Sequence, residues 1–251
     1  MAPLRVILLL AGASLLGVGA FILHTRRRRE ARKNKPKIIH LIRHAESEFN
    51  RHYENTSSDP MIPDAPITPK GVNQATALRK TLSGGAAGEL HPPPEVVMAS
   101  PLTRALQTAV VAFPDANVEV EPLIREWLTD SCDIGRDPGE LSEAFPAINF
   151  DKLPGPVWWY TDPEGPAHAS TEESLAHFRD YGFFEKEHMV EERLQQLLGV
   201  LRGRPEESFA LVGHGDIFNL LASMLDPGRG EVWLDNCGVA TLTIPPLNPK
   251  P

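Results

Sequence analysis

Two apolar runs, far apart in the chain, each stop at a histidine, and they constrain this chain more than any other feature. The first is Lys37-Ile38-Ile39-His40-Leu41-Ile42, ending in Arg43-His44 and then a polar turn with Ser47 and Asn50. The second is Ser208-Phe209-Ala210-Leu211-Val212-Gly213, ending in His214-Gly215. Both have strand character. In open α/β sheets ligands bind outside the carboxyl ends of the strands. A strand that delivers Arg43 and His44 to that edge is suited to an anion: a guanidinium forks onto paired oxygens. Imidazole titrates near neutrality and is a competent nucleophile.

The runs between these two complete an alternating pattern. Strands are expected over 37–42, 95–99, 117–121, 208–213 and 239–244. Helices are expected over 69–82, 101–113, 171–201 with a break near Gly182, and 217–225. Alternation of this kind predicts an α/β class fold, a three-layer α/β/α sandwich around a mostly parallel sheet. Thr68-Pro69 reads as an N-cap followed by proline at the first helical position, and Ser100-Pro101 as a second such start. Arg104 then falls in a first helical turn near the sheet edge, where helix-start amides favour an anion. The stretch from Asp130 to Ser170 is rich in Pro and Gly and carries Trp158-Trp159-Tyr160. That trio either lines a substrate mouth or forms a small core beneath the loop.

Charge is divided unevenly. The net charge is −8. Residues 1–37 hold nine Lys/Arg and one acid, so the remaining 16 basic and 32 acidic side chains give the body −16. A body that acidic excludes general nucleic-acid binding. Cys132 and Cys237 are the only cysteines, too few and too far apart for a disulfide framework or a zinc site. They read as reduced thiols. His40 and His44 share a spacing that suits a metal on a helix, but the run is a strand, so no metal is expected there.

Residues 6–23 form an uncharged run of 18 residues, followed by Arg26-Arg27-Arg28-Arg29. The run sits at the short end of the ~17–25 residues that cross a bilayer. Its basic flank puts the carboxyl side in the cytosol. The organisation expected is a short segment 1–5, a transmembrane signal anchor 6–23, a basic linker 24–36 and a folded domain 37–251. The membrane partner is the endoplasmic reticulum or the mitochondrial outer membrane. A cleaved signal peptide ending at Val18-Gly19-Ala20 is the competing reading.

Five ordered motifs together resemble the histidine phosphatase superfamily, branch 1, which includes the cofactor-dependent phosphoglycerate mutases. Residues 43–50, Arg-His-Ala-Glu-Ser-Glu-Phe-Asn, match its Arg-His-Gly-x-Ser-x-x-Asn signature except at Ala45. Residues 64–75 are similar to its Asp-x-Pro-Leu-Thr segment. Ser100-Pro101-Leu102-Thr103-Arg104, Leu123-Ile124-Arg125-Glu126 and Val212-Gly213-His214-Gly215 follow in the family's order, with Asn236 near the last strand. The resemblance implies a phosphoglycerate mutase-like fold and phosphoryl transfer without a cofactor or metal. It implies His44, Glu126 and His214 as catalytic, and Arg43, Asn50, Arg104 and His214 as phosphate-binding.

Residues 126–135, with Leu141 and Phe145-Pro146, resemble a fungal and plant branch of broad-range phosphomonoesterases. They lack the Tyr-Gly segment and paired-Arg loop that follow the glutamate in the mutases. The expected activity is hydrolysis of a phosphorylated small molecule or phosphoprotein through a phosphohistidine. A mutase-type phosphotransferase and a membrane-tethered scaffold are the alternatives.

Overall fold

The structure, a computed structural model, describes residues 35–83 and 90–247. Among these, five strands form one sheet: β1 (Lys37–Arg43), β2 (Val96–Ala99), β3 (Val118–Val120), β4 (Ser208–Gly213) and β5 (Val239–Ile244), in the order β3-β2-β4-β1-β5. All neighbours are parallel except β1 and β5. Seven α-helices accompany them: α1 (Glu48–Thr56), α2 (Pro69–Leu82), α3 (Thr103–Ala112), α4 (Pro138–Ala144), α5 (Thr171–Tyr181), α6 (Glu187–Gly203) and α7 (Gly215–Leu225). The expected fold class holds. The expected anchor and most of the basic linker lie outside the described residues.

Alternation along the strands makes the layers. Ile39, Leu41, Phe209 and Leu211 point to one face and pack on Leu194, Leu197 and Leu201 of α6 and Ile217, Phe218 and Leu221 of α7. Ile42, Ala210 and Val212 point to the other face, against Leu78 of α2 and Leu102, Ala105, Leu106 and Ala109 around α3. Successive residues of a strand face opposite sides, so one apolar run feeds two cores. Trp158, Trp159 and Tyr160 join the second core and are buried. They pack; they do not line a mouth.

The chain's route through the sheet brings the two histidines together. It lays down β1, β2 and β3 before β4 inserts between β1 and β2. The register sets Arg43 beside Gly213 and Ala99 beside Val212. The next residues, His44, His214 and Ser100, therefore emerge side by side at one sheet edge.

Local starts and stops differ from the sequence reading at three places. Ser47 caps a nine-residue helix, α1, through a capping box with Asn50. Only the first part of that polar turn is a turn. Helix α3 begins at Thr103, not Pro101, and Ser100 does not cap it. Its first free amide, Thr103 N, donates instead to Asp64 Oδ1 at 2.6 Å, a cap supplied from 39 residues upstream. Within the loop-rich stretch, Asp137 caps the short α4. The break at Gly182 is real: it has φ +65°, a left-handed backbone that glycine adopts without a steric penalty. Thr68 caps α2 as expected, accepting from Gly71 N at 3.0 Å.

Candidate active site

The carboxyl edge of β1, β2 and β4 opens into a cavity of about 250 Å³ lined by Arg43, His44, Asn50, Arg104, Glu126, Asp133 and Asp216, among others. All of the site residues expected from the sequence reach it except His214, which lies immediately behind it.

His44 is held in one orientation. Its Nδ1 lies 2.7 Å from the carbonyl of Ala45. Only a protonated Nδ1 can donate there, so Nε2 carries the lone pair. Arg104 Nε donates to that Nε2 at 3.3 Å. Burial, then the charges of Arg104 and Arg43, drive the His44 pKa well below its ordinary value. The ring is neutral and nucleophilic at physiological pH. The departure from the signature at Ala45 is harmless for two reasons. Its φ is not positive, and its methyl is fully buried while its amide donates to Thr108 Oγ1 at 2.9 Å.

Arg104 is only 2% exposed and commits one N–H from each of its three nitrogens, leaving one on each Nη. Besides His44, it donates from Nη1 to Cys132 O at 2.6 Å and from Nη2 to Asp133 Oδ1 at 2.7 Å. Arg43 leans over the start of α7: Nη1 donates to Leu234 O at 2.7 Å, while its buried Nε has no partner among the described residues. His214, the N-cap residue of α7, lies with its ring 5.2 Å from that of His44. Leu102 N donates to Ser100 Oγ at 3.3 Å, which frees the Ser100 hydroxyl to donate to His214 Nε2 at 2.7 Å. With the hydroxyl as donor, the proton of the neutral ring sits on Nδ1, which is also buried and unpartnered. Native structures rarely bury polar groups without partners. Two such nitrogens beside the His44 ring make a setting suited to an anion.

Glu126 approaches from beyond β3. Its Oε1 accepts from Trp127 N at 2.9 Å and Ile217 N at 3.1 Å. Burial, then the charges of Asp216 and Asp133, push the carboxyl up to about 8. Burial, then Asp133, likewise raises Asp130, to about 6. A buried ionic network fixes this segment. Arg193 donates to the carbonyls of Leu123, Arg125 and Glu126 at 2.8, 2.9 and 3.2 Å. Glu185 in turn receives both Arg125 and Arg193.

Asn50 spends its carbonyl on Ser47 N, at 3.1 Å, leaving its NH₂ available to the cavity. Asn236 donates to His44 O at 3.0 Å. His40 is unrelated to the site: its ring nitrogens meet Thr241 Oγ1 and Pro92 O. Cys132 and Cys237 are free thiols. Asp216 was absent from the sequence-based set, though it stands two residues after His214. Arg193 and Glu185 act at a distance and carry no local motif.

The profile described as histidine phosphatase superfamily (branch 1) matches residues 39–249. This chain belongs to that superfamily. A phosphoglycerate mutase-like protein of Arabidopsis thaliana is 27% identical over 272 residues, covering 91% of this chain and 88% of the relative. Among solved structures, a phosphoglycerate mutase from Bacillus anthracis superposes with a TM-score of 0.53 at 14% identity, over 86% of this chain and 91% of that one. An Escherichia coli protein described as a candidate alpha-ribazole-5'-P phosphatase gives 0.50 at 17%, over 83% and 90%. At such identities the structures establish the phosphoglycerate mutase-like fold. Within the superfamily, the second motif gains a structural reason: Asp64 caps α3, and so fixes the helix that carries Arg104.

Removing Glu185 should strand the Arg193 charge in a buried site. The Glu185→Ala variant is expected to lose about 3–5 kcal/mol of stability, the usual cost of breaking one side of a buried ion pair. Urea unfolding measures this, and a loss below about 1 kcal/mol would show the network to be dispensable.

Proposed function

We propose that the protein is a phosphomonoester hydrolase that works through a phosphohistidine at His44 and needs no metal. The observation that carries this is the pairing of a neutral, oriented His44 Nε2 with two unpartnered buried donors, Arg43 Nε and His214 Nδ1. A phosphoryl group placed between them meets cations and N–H groups at its three equatorial oxygens, where phosphoryl-transfer charge accumulates. Arg43, Arg104, His214 Nδ1 and the Asn50 amide bind those oxygens. His44 Nε2 attacks phosphorus as the bond to the leaving oxygen breaks. Glu126, protonated, gives its proton to that oxygen. Water then attacks the phosphohistidine, returns a proton to Glu126, and releases phosphate as the P–N bond breaks. Asp133 positions Arg104 and touches no reacting atom.

Hydrolysis is favoured over mutase chemistry by the charge of the cavity. Among the described residues that line it, Arg43 and Arg104 are the only arginines, and Glu126, Asp130, Asp133 and Asp216 ring them. One phosphoryl group uses both cations, so a second anionic group on the substrate finds acids. The substrate class is accordingly a small phosphomonoester.

We also propose that residues 6–23 anchor the domain, with its site facing the cytosol. Among the described residues no helix is long and apolar enough to cross a membrane, and residues 6–23 lie outside them. Lys37 starts β1 at the end opposite His44, about 23 Å away for seven strand residues. A tether attached there leaves the cavity pointing away from its membrane. Full-length protein should stay in the membrane pellet after carbonate extraction; its release would refute the anchor.

The catalytic reading is tested by trapping the phosphoenzyme in an alkaline denaturing quench. Wild type should yield a base-stable, acid-labile phosphoenzyme, and His44→Ala none; equal labelling of the variant would place the nucleophile elsewhere.

Glu126 predicts the alkaline limb of the pH profile. It acts as an acid only while protonated, so with a carboxyl raised to about 8, kcat/KM for alkyl phosphates should fall about tenfold per pH unit above that value. A nitrophenolate needs little proton assistance, so p-nitrophenyl phosphate should show a shallower fall. Identical limbs for the two substrates, and an identical rate loss in Glu126→Gln, would assign the proton to another acid.

A further inference from the structure

A second depression, of about 540 Å³, runs on from the catalytic cavity. The two share Thr129, Asp216 and Trp233. Its position follows from the chemistry already proposed for the site, on which this inference rests. The leaving oxygen departs opposite His44 and takes its proton from Glu126, so the organic part of the substrate must lie on the Glu126 side. Trp127, the residue after Glu126, forms one wall of this groove, and α7 forms another through Asp216 and Asn219.

The far wall is the segment leading to β5, and it is fixed at two points. Asn219 Oδ1 accepts from Val232 N at 2.8 Å, and Leu234 O accepts from Arg43 Nη1 at 2.7 Å. Trp233 sits between these anchors. It is 61% exposed, unusually high for an indole held by a braced segment. Both indole N–H groups are already used: Trp233 Nε1 donates to Glu231 Oε2 at 2.7 Å and Trp127 Nε1 to Glu185 O at 2.6 Å. What the two rings have left to offer is their apolar, electron-rich surface.

The charged residues that line the groove are Glu187, Asp216 and Glu231; none is Lys, Arg or His. Lys186 and Arg229 are neighbours in sequence but do not line it. Two tryptophans with three carboxylates make an environment that attracts a cation and repels an anion. We propose that this groove is the leaving-group subsite and that it selects phosphomonoesters of cationic alcohols, of the amino-alcohol or quaternary-ammonium kind. A neutral polyol fits the groove without using its charge. An anionic alcohol is disfavoured.

The test compares three alkyl phosphates on the full-length protein: phosphocholine, glycerol 1-phosphate and 3-phosphoglycerate. Their kcat/KM values should fall in that order, with phosphocholine ahead of glycerol 1-phosphate by roughly threefold, the scale of a cation on an exposed indole. In Glu187→Gln/Glu231→Gln that ratio should collapse towards one, and Trp233→Ala should lower it too. All three residues are exposed, so folding is not at stake. A wild-type ratio of one or less, or a ratio unmoved in both variants, would overturn the subsite while leaving the phosphatase reading intact. No phosphate release from any of the three, with no phosphoenzyme, would overturn both.

Discussion

The site depends on one buried guanidinium. Removing Arg104 from water costs on the order of several kcal/mol, and such a charge persists only where its hydrogen bonds are met. The chain meets them from two separate segments: His44 after β1, and the adjacent Cys132 carbonyl and Asp133 carboxylate. The guanidinium is therefore a structural tie as well as a ligand in waiting. It draws the loop-rich segment after Glu126 down onto the sheet edge and closes one side of the cavity. Its helix is held from below by Asp64, which also receives Arg136 Nε at 2.8 Å. A change to Arg104 or Asp133 disturbs the wall of the site and the electrostatics at once.

The sheet makes this tie possible. Strand β4 enters after β1, β2 and β3, between β1 and β2, and its buried apolar residues leave no freedom of register, because a slip of one residue would swap the two cores. That register places His214 beside His44 and Ser100. Gly213 serves the same packing: a Cβ there would strike the Phe218 ring, which lies against the strand from α7. The geometry of two histidines 5.2 Å apart is thus a consequence of core packing, made far from any catalytic group.

Much of this was legible in the sequence because it is local. Apolar runs bounded by caps and glycines gave the five strands and most of the helices. A strand end has one position in the sheet, so Arg43, His44 and His214 come to the sheet edge as the runs predict. What escaped is long-range or weakly patterned. Helix α1 is polar and buries only Phe49, so it offers no apolar stripe to mark it. Helix α3 takes its cap from Asp64 across 39 residues, which displaced the expected start at Ser100-Pro101. The tryptophans invite the same lesson. Trp158-Trp159-Tyr160 stand out in sequence yet are core, while Trp127 and Trp233, isolated in the chain, both line the groove.

The same environment that raises Glu126 suits both halves of the proposed reaction. Burial and the charges of Asp216 and Asp133 penalise its anion, so the resting carboxyl keeps its proton until a leaving oxygen takes it. Once that proton is gone, the penalty is unchanged and the carboxylate is a stronger base than an exposed glutamate. It then faces the water that must attack the phosphohistidine. A single desolvated acid, held at one oxygen by Trp127 N and Ile217 N, can thus drive protonation in the first step and deprotonation in the second without moving. Those two amides bond to one oxygen and limit the rise in pKa, which leaves the other oxygen to carry the proton in both directions.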